Sequence, residues 1–309
     1  MTSRTFEYLA SPDLAGLYWP GIVTGLIIAL GTAALSVLTV LKRMAFIGQG
    51  VSHAAFGGVG LAAALGLVGG AAATGTVLQF LVVFGFCFLA ALTMGGLGGG
   101  SRSGGGDGSD RARSADSAIG IVLVASMAIG AILLRRASGS VSWESFLFGD
   151  ILAVGWADAG VAGACAAAIL GTLAWVRRPL LFHTFDPAAA RAWGVNGRFL
   201  DSVLMLLLAL ATVTAMKLAG VVLATALLVL PGATALRLSR RAWTVLSLAH
   251  AAAVLGVLIG IVIAFEADIP TGPSIVCTLT ALFGLAAGFS NLRDRFVVLP
   301  RAAAQGDLE

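Results

Sequence analysis

Nine long apolar runs constrain this chain more than any other feature. They lie near residues 19–41, 47–69, 75–97, 117–134, 156–176, 200–216, 219–236, 242–265 and 273–290. A helix that crosses the hydrocarbon layer of a bilayer needs about 20 mostly apolar residues. The sixth and seventh runs are short and meet in a tight turn around Lys217, so eight crossings with one re-entrant piece are also compatible with the pattern. The expectation is an all-α polytopic membrane protein with eight or nine transmembrane helices. Composition supports it: 59% of the 309 residues are hydrophobic and 11% charged, where a soluble domain carries about 25% charge to cover its surface. Abundant Gly and Ala suit close helix packing in lipid, and membrane lipid is the expected surroundings.

The net charge of +4 does not point to nucleic acid, because the basic residues sit in short groups between apolar runs rather than along a groove. With the N-terminus outside, fifteen of the nineteen basic residues fall on inner segments. They are Lys42, Arg43, Arg102, Arg111, Arg113, Arg177, Arg178, Arg191, Arg198, Arg237, Arg240, Arg241, Arg293, Arg295 and Arg301. The positive-inside rule therefore places the C-terminus in the cytoplasm. Residues 1–18 are expected to form a short extracytoplasmic segment, 19–290 the transmembrane domain, and 291–309 a cytoplasmic tail. No charged stretch leads into a cleavage site, so no removable leader is expected. Cys87, Cys165 and Cys277 stand alone inside apolar stretches, which suits packing and neither a metal knuckle nor a disulfide framework.

Two inner segments differ in character. Segment 95–116 (GGLGGGSRSGGGDGSDRARSAD) reads as a flexible linker. No Gly-Lys-Ser/Thr follows its glycines, so it encodes no phosphate loop. Segment 177–200 (RRPLLFHTFDPAAARAWGVNGRFL) is ordered in style. Asp186 followed by Pro187 starts a helix and Gly194 ends it. The two-turn helix between them carries Arg191 and is flanked by Phe185 and Trp193, the aromatic anchors of a docking element. His183 precedes it and is expected to be solvated or part of that docking surface.

Ionisable groups at membrane depth are functional hypotheses by default. Gln49 and His53 are four residues apart in the second run and share one helix face. An imidazole and an amide oxygen there could ligate a divalent transition metal; equally, His53 could hydrogen-bond a carbonyl on a neighbouring helix. His250 in the eighth run lies at a depth similar to that of His53. It is a second candidate ligand, with a hydrogen bond in the core as the competing role. Glu266 and Asp268, before the Pro/Gly turn at the outer end, could attract cations or be ordinary loop residues.

Three stretches carry a family resemblance: LKRMAFIGQGVSHAAFGGVGLA, FDPAAARAWGVN, and AGVVLATALLVLPGATALRLS followed by DIPTGPSIV. In this order, over about residues 15–290, the chain resembles the membrane permeases of the zinc/manganese/iron ABC importers, the ABC-3 type. The resemblance implies a multi-pass protein of a prokaryotic plasma membrane, itself non-catalytic. It implies a homodimer of permeases around a central path, ATP-binding subunits in the cytoplasm, and an extracytoplasmic solute-binding protein. The cargo would be a transported divalent metal ion, with no permanently bound cofactor. Phe185, Asp186, Pro187, Arg191, Trp193 and Gly194 would form the coupling helix for the ATPase, and His53 with Gln49 and His250 the candidate metal ligands. The family typically has an acid where this chain has Gln49; a neutral amide binds a hard cation more weakly than a carboxylate does. Rival readings fare worse on the residues. A secondary transporter or channel wants a carboxylate well inside the spans, and an intramembrane enzyme wants paired Asp residues or a His-rich zinc motif. An importer of larger metal chelates would lack these particular stretches.

Overall fold

A computed structural model describes residues 12–67, 73–99, 108–136, 149 and 154–305, and every element among them is helical. In chain order these are α1 (Pro12–Leu41), α2 (Ala45–Ala64), α3 (Ala73–Gly99), α4 (Gly108–Arg136), α5 (Trp156–Phe185), α6 (Pro187–Ala192), α7 (Gly197–Leu238), α8 (Ala242–Ala267) and α9 (Thr271–Gln305). Several run past the apolar stretches that predict them. Helices α3 and α4 take in both ends of the 95–116 segment, leaving only 100–107 outside the described residues. At the chain ends α1 begins inside the expected outer segment, whose residues 1–11 are not described, and α9 continues into the expected tail. Once started, a helix adds one hydrogen bond for each further residue it fixes, so it is not obliged to stop at the edge of an apolar run.

Among the described residues eight stretches are long and apolar enough to cross a bilayer: Tyr18–Leu41, Val77–Gly96, Asp116–Arg136, Trp156–Phe185, Gly197–Met216, Gly220–Leu238, Ala242–Ala267 and Thr271–Arg293. Two of them belong to α7, which bends at Gly220 (φ 80, ψ 165), the one non-helical residue inside it. The expected turn at Lys217 is thus centred three residues later, on the residue that alone tolerates positive φ without strain. The bend is a reversal. Asp201 of the first limb bonds Lys42 at the end of α1. Gly232 of the second limb lies against the backbone of Ser36 in the same helix. An unbroken helix would hold Asp201 and Gly232 about 46 Å apart, whereas Ser36 and Lys42 are separated by about 9 Å of helix.

The two limbs of α7 form the centre of the bundle. On one side α7 packs against α2 and α3, with α4 closing over both; on the other it packs against α1, α5, α8 and α9. Helix α1 is buried deeply enough that its hydroxyls need partners, and it supplies them itself. Thr24 donates to Pro20 O (2.6 Å), Thr32 to Ile28 O (2.7 Å), Ser36 to Ala33 O (2.7 Å) and Thr39 to Leu35 O (2.9 Å). Back-bonds of this kind satisfy the buried oxygen at the cost of slight bending.

Helix α2 is not among the eight apolar spans, although its 20 residues give about 30 Å of helix, enough for one crossing. Five glycines, Gln49, Ser52 and His53 lower its apolar content. Protein rather than lipid surrounds it, chiefly α3, α4 and α7. The contact with α4 is backbone on backbone: a Cβ at Gly60 would meet Gly130 O at 2.7 Å, and one at Gly130 would meet Phe56 O at 2.7 Å. Small residues at a crossing are the usual means by which helices approach closely in lipid, where van der Waals contact drives association.

Candidate functional site

Helix α2 starts abruptly. Leu41 ends α1, Arg43 takes a left-handed conformation (φ 56), and Met44 is the N-cap of α2. Met44 N donates back to Thr39 O (2.8 Å), which closes the turn. From there only Phe46, Gln49 and Ala64 of α2 are exposed, and His53 is half-buried. Phe46, Gln49 and His53 are spaced three and four apart, so they form one open strip on a helix otherwise enclosed by the bundle.

The imidazole of His53 sits about 12 Å along α2 from its start. Its Nδ1 is buried and has no hydrogen-bond partner. Nδ1 thus does not make the bond to a neighbouring carbonyl that the sequence left open. Among the described residues two other buried polar side-chain atoms are in the same state, Nδ1 of His183 and Oγ1 of Thr212. An unpaired buried nitrogen costs on the order of 1–3 kcal/mol. Two features of this seam thus mark it as more than packing: an open polar strip and an unused ligating atom. Among the described residues no three His, Cys, Asp or Glu side chains gather within one protomer in a way that could hold a metal.

His250 is elsewhere. Its Nδ1 lies 2.8 Å from Leu246 O, one turn back in α8. The ring borders a cavity lined from α1, α5, the α7–α8 connection and α8, with no residue from α2. Similar depth does not bring the two imidazoles together, because α2 and α8 lie on opposite sides of α7. Asp268 caps the end of α8 in a left-handed conformation (φ 54), three residues before α9 begins at Thr271.

The short helix of the 177–200 segment is present as α6. The carboxylate of Asp186 accepts from Ala188 N (3.1 Å) and Ala189 N (2.9 Å), and Pro187 occupies the first turn. Arg191 Nε donates to Pro187 O (3.1 Å). Gly194 adopts φ 78 and lets Val195 N reach Ala190 O (2.9 Å). Ala190 is fully buried, while Phe185 and Trp193 are 68% and 82% exposed. A helix fixed at both ends thus presents two large aromatic side chains to the outside.

His183 is not solvated. Its ring is largely buried, and a Cβ at Gly197 would collide with it at 2.5 Å. Its Nε2 lies 3.7 Å from Asp201 Oδ1, the same oxygen that accepts from Lys42 Nζ at 2.5 Å. Sequence reasoning passed over Lys42 and Asp201, whose partnership spans 159 residues. The cluster ties three places together: the approach to α6, the first turn of α7, and the α1–α2 turn that leads to His53.

A bundle of membrane-length helices, with a polar strip opening on one side and a capped aromatic helix at one end, is a polytopic membrane protein of the transport class. Residues 17–290 match the ABC 3 transport family, and the chain belongs to it. It is 33% identical over 271 residues to the manganese transport system membrane protein MntC of Halalkalibacterium halodurans, covering 87% of this chain and 86% of that protein. It is 30% identical to a probable iron transport system membrane protein of Haemophilus influenzae, over 94% of this chain and all of the relative. The high-affinity zinc uptake system membrane protein ZnuB of the same organism is 29% identical, over 87% of this chain and 96% of that one. Among solved structures, PsaBC from Streptococcus pneumoniae in complex with Fab contains a chain of the same fold. The TM-score is 0.76 at 28% identity, over 93% of this chain and 95% of that one.

Proposed function

We propose that this chain is the membrane-spanning permease subunit of an ATP-driven importer for a divalent transition metal ion, manganese, iron or zinc. The observation that carries the metal reading is the α2 strip. His53 holds an unpaired buried nitrogen on the same open face as Gln49, and relatives named for manganese, iron and zinc transport match the chain over most of its length. One protomer offers two ligating side chains there. A second copy related by a two-fold axis, facing the first across its own α2 strip, would double the set to two imidazoles and two amides. Such a site suits transit: it holds the ion long enough to enter and weakly enough to leave.

The end of the bundle bearing α6 faces the cytoplasm, following the distribution of Lys and Arg. There Phe185 and Trp193 dock into an ATP-binding subunit, and a solute-binding protein delivers the ion at the opposite face. Movement of α6 reaches the seam through the Lys42–Asp201–His183 cluster, because the α1–α2 turn is held to the first turn of α7 by Asp201. Alternating exposure of the α2 strip to the two sides follows from that displacement.

The test is uptake of metal by cells carrying His53→Ala. Uptake falls to the level of cells lacking the chain, while the amount of permease in the membrane is unchanged. Undiminished uptake at equal abundance removes His53 from the mechanism.

A further inference from the structure

A cavity of about 800 Å³ opens on the side of the bundle away from the α2 strip, within the size range of built ligand sites. Its walls come from α1 (Ala34 to Leu41), α5 (Leu170 to Phe185), the end of α7, and α8 (Ala242 to His250). Along α5 the lining runs about 16 Å from Leu170 to Leu181. It is apolar over most of that length, with Leu173 and Leu180 buried at its floor. At the end nearest α6 the character changes. Arg177, Arg178 and Arg240 all stand on the rim, all are exposed, and no acid is among the lining residues. Among the described residues these three guanidinium groups have no ion pair or hydrogen bond.

The surroundings are those of a lipid-facing surface near the membrane boundary. Trp243 on the rim and Trp175 beside it are 74% and 79% exposed, at the level where amphipathic aromatic rings sit in membrane proteins. Further into the span, the outward faces of α5 and α8 expose Val161, Leu255, Leu258, Ile259 and Val262. A soluble partner docking on α6 could reach the arginines, but it could not fill an apolar slot running more than two turns into the hydrocarbon layer. A cargo ion is excluded by charge, and the open strip of α2 lies across α7.

We propose that this groove binds one anionic phospholipid of the cytoplasmic leaflet. The phosphate lies among Arg177, Arg178 and Arg240, and an acyl chain lies along the floor formed by Leu38, Leu173 and Leu180. Basic pockets between membrane helices on the cytoplasmic side are suited to such headgroups, and guanidinium forks match phosphate oxygens in bidentate geometry. Because the groove is walled by α1, α5 and the α7–α8 connection, the lipid braces the elements on which α6 and the α1–α2 turn are mounted.

The test is lipid retention by the purified permease. Protein is reconstituted into nanodiscs of phosphatidylcholine with a phosphatidylglycerol fraction, extracted in mild detergent, and weighed by native mass spectrometry. The wild type is expected to retain one phosphatidylglycerol per protomer, and phosphatidylcholine alone is expected not to replace it. The variant Arg177→Gln/Arg178→Gln/Arg240→Gln loses that adduct, whereas Arg135→Gln/Arg136→Gln/Arg198→Gln, which removes equal charge elsewhere, keeps it. Ala174→Trp, at an exposed lining position, leaves the arginines intact and also loses the adduct, because the slot is filled. Equal retention in all variants overturns the proposal, as does retention with no preference for anionic lipid. So does unchanged lipid retention in the groove variants with weakened binding of the ATP-binding subunit, which would assign the arginines to a protein partner.

Discussion

Helices α2 and α8 are both long enough to cross a bilayer, and both leave one strip uncovered by the rest of the chain. In the middle of α8 the large uncovered side chains are Leu255, Leu258, Ile259, Val262 and Ile263, with Trp243, Thr244 and Ser247 exposed toward one end and Glu266 at the other. On α2 they are Phe46 and Gln49, with His53 half-open below them. The α8 strip is what lipid selects, since a polar group there would lose its hydrogen bonds to water and gain none. The α2 strip cannot face lipid at low cost. Enclosure by α3, α4 and α7 shields the rest of α2, Ser52 included, so Gln49 and His53 are left on the face where, in the proposed transporter, a second protomer and a passing ion meet them. The difference teaches that exposure in one protomer has two meanings here, and that the chemistry of the exposed residue separates them.

Substitutions that move one helix's property onto the other sharpen this contrast. Leu258→Arg puts a charge on the lipid face of α8. It should cost about 2.5–3.5 kcal/mol of insertion free energy, read as loss of membrane-integrated protein in a glycosylation-mapping assay. The same assay should show little change for Gln49→Leu, which removes a polar group from the open strip of an otherwise shielded helix. Gly60→Leu attacks the shielding itself, because its side chain must enter the backbone of Gly130. Overpacking of this kind costs about 1–3 kcal/mol and should appear as a lower Tm in detergent. An unchanged Tm would mean that the close α2–α4 contact is not formed. Asp201→Asn should alter stability least, since a partly exposed ion pair is worth only about 0–1 kcal/mol. Its uptake should nonetheless fall several-fold, and the exchange Lys42→Asp with Asp201→Lys should restore much of it. Recovery distinguishes a mechanical tie from simple loss of charge.

Much of this arrangement was legible in the chain. The apolar runs marked the spans because length and hydropathy are properties of contiguous residues. The ends of α6 were readable from Asp186-Pro187 and Gly194, since capping and left-handed backbone are local chemistry. The paired Gln49 and His53 were visible because helical periodicity alone puts them on one face. What was not legible depends on distant pairing. The Lys42–Asp201 contact and the burial of His183 against Gly197 require knowing that α7 returns to the foot of α1. The separation of His250 from His53 requires knowing that α7 stands between their helices. The exact turn residue was missed for a smaller reason: Lys217 looked like the polar break, while the backbone reversal needed the glycine three positions on.

The most direct test compares the two open strips as surfaces. Single cysteines replace Gln49 and Leu258 in a chain whose Cys87, Cys165 and Cys277 are changed to Ala, and a water-soluble maleimide is applied to the assembled transporter. The expected result is labelling at position 49, protection of that site by Mn²⁺ only when His53 is present, and no labelling at position 258. Equal labelling at the two positions, or labelling at 49 that is indifferent to both the ion and His53, would contradict a transport path along α2.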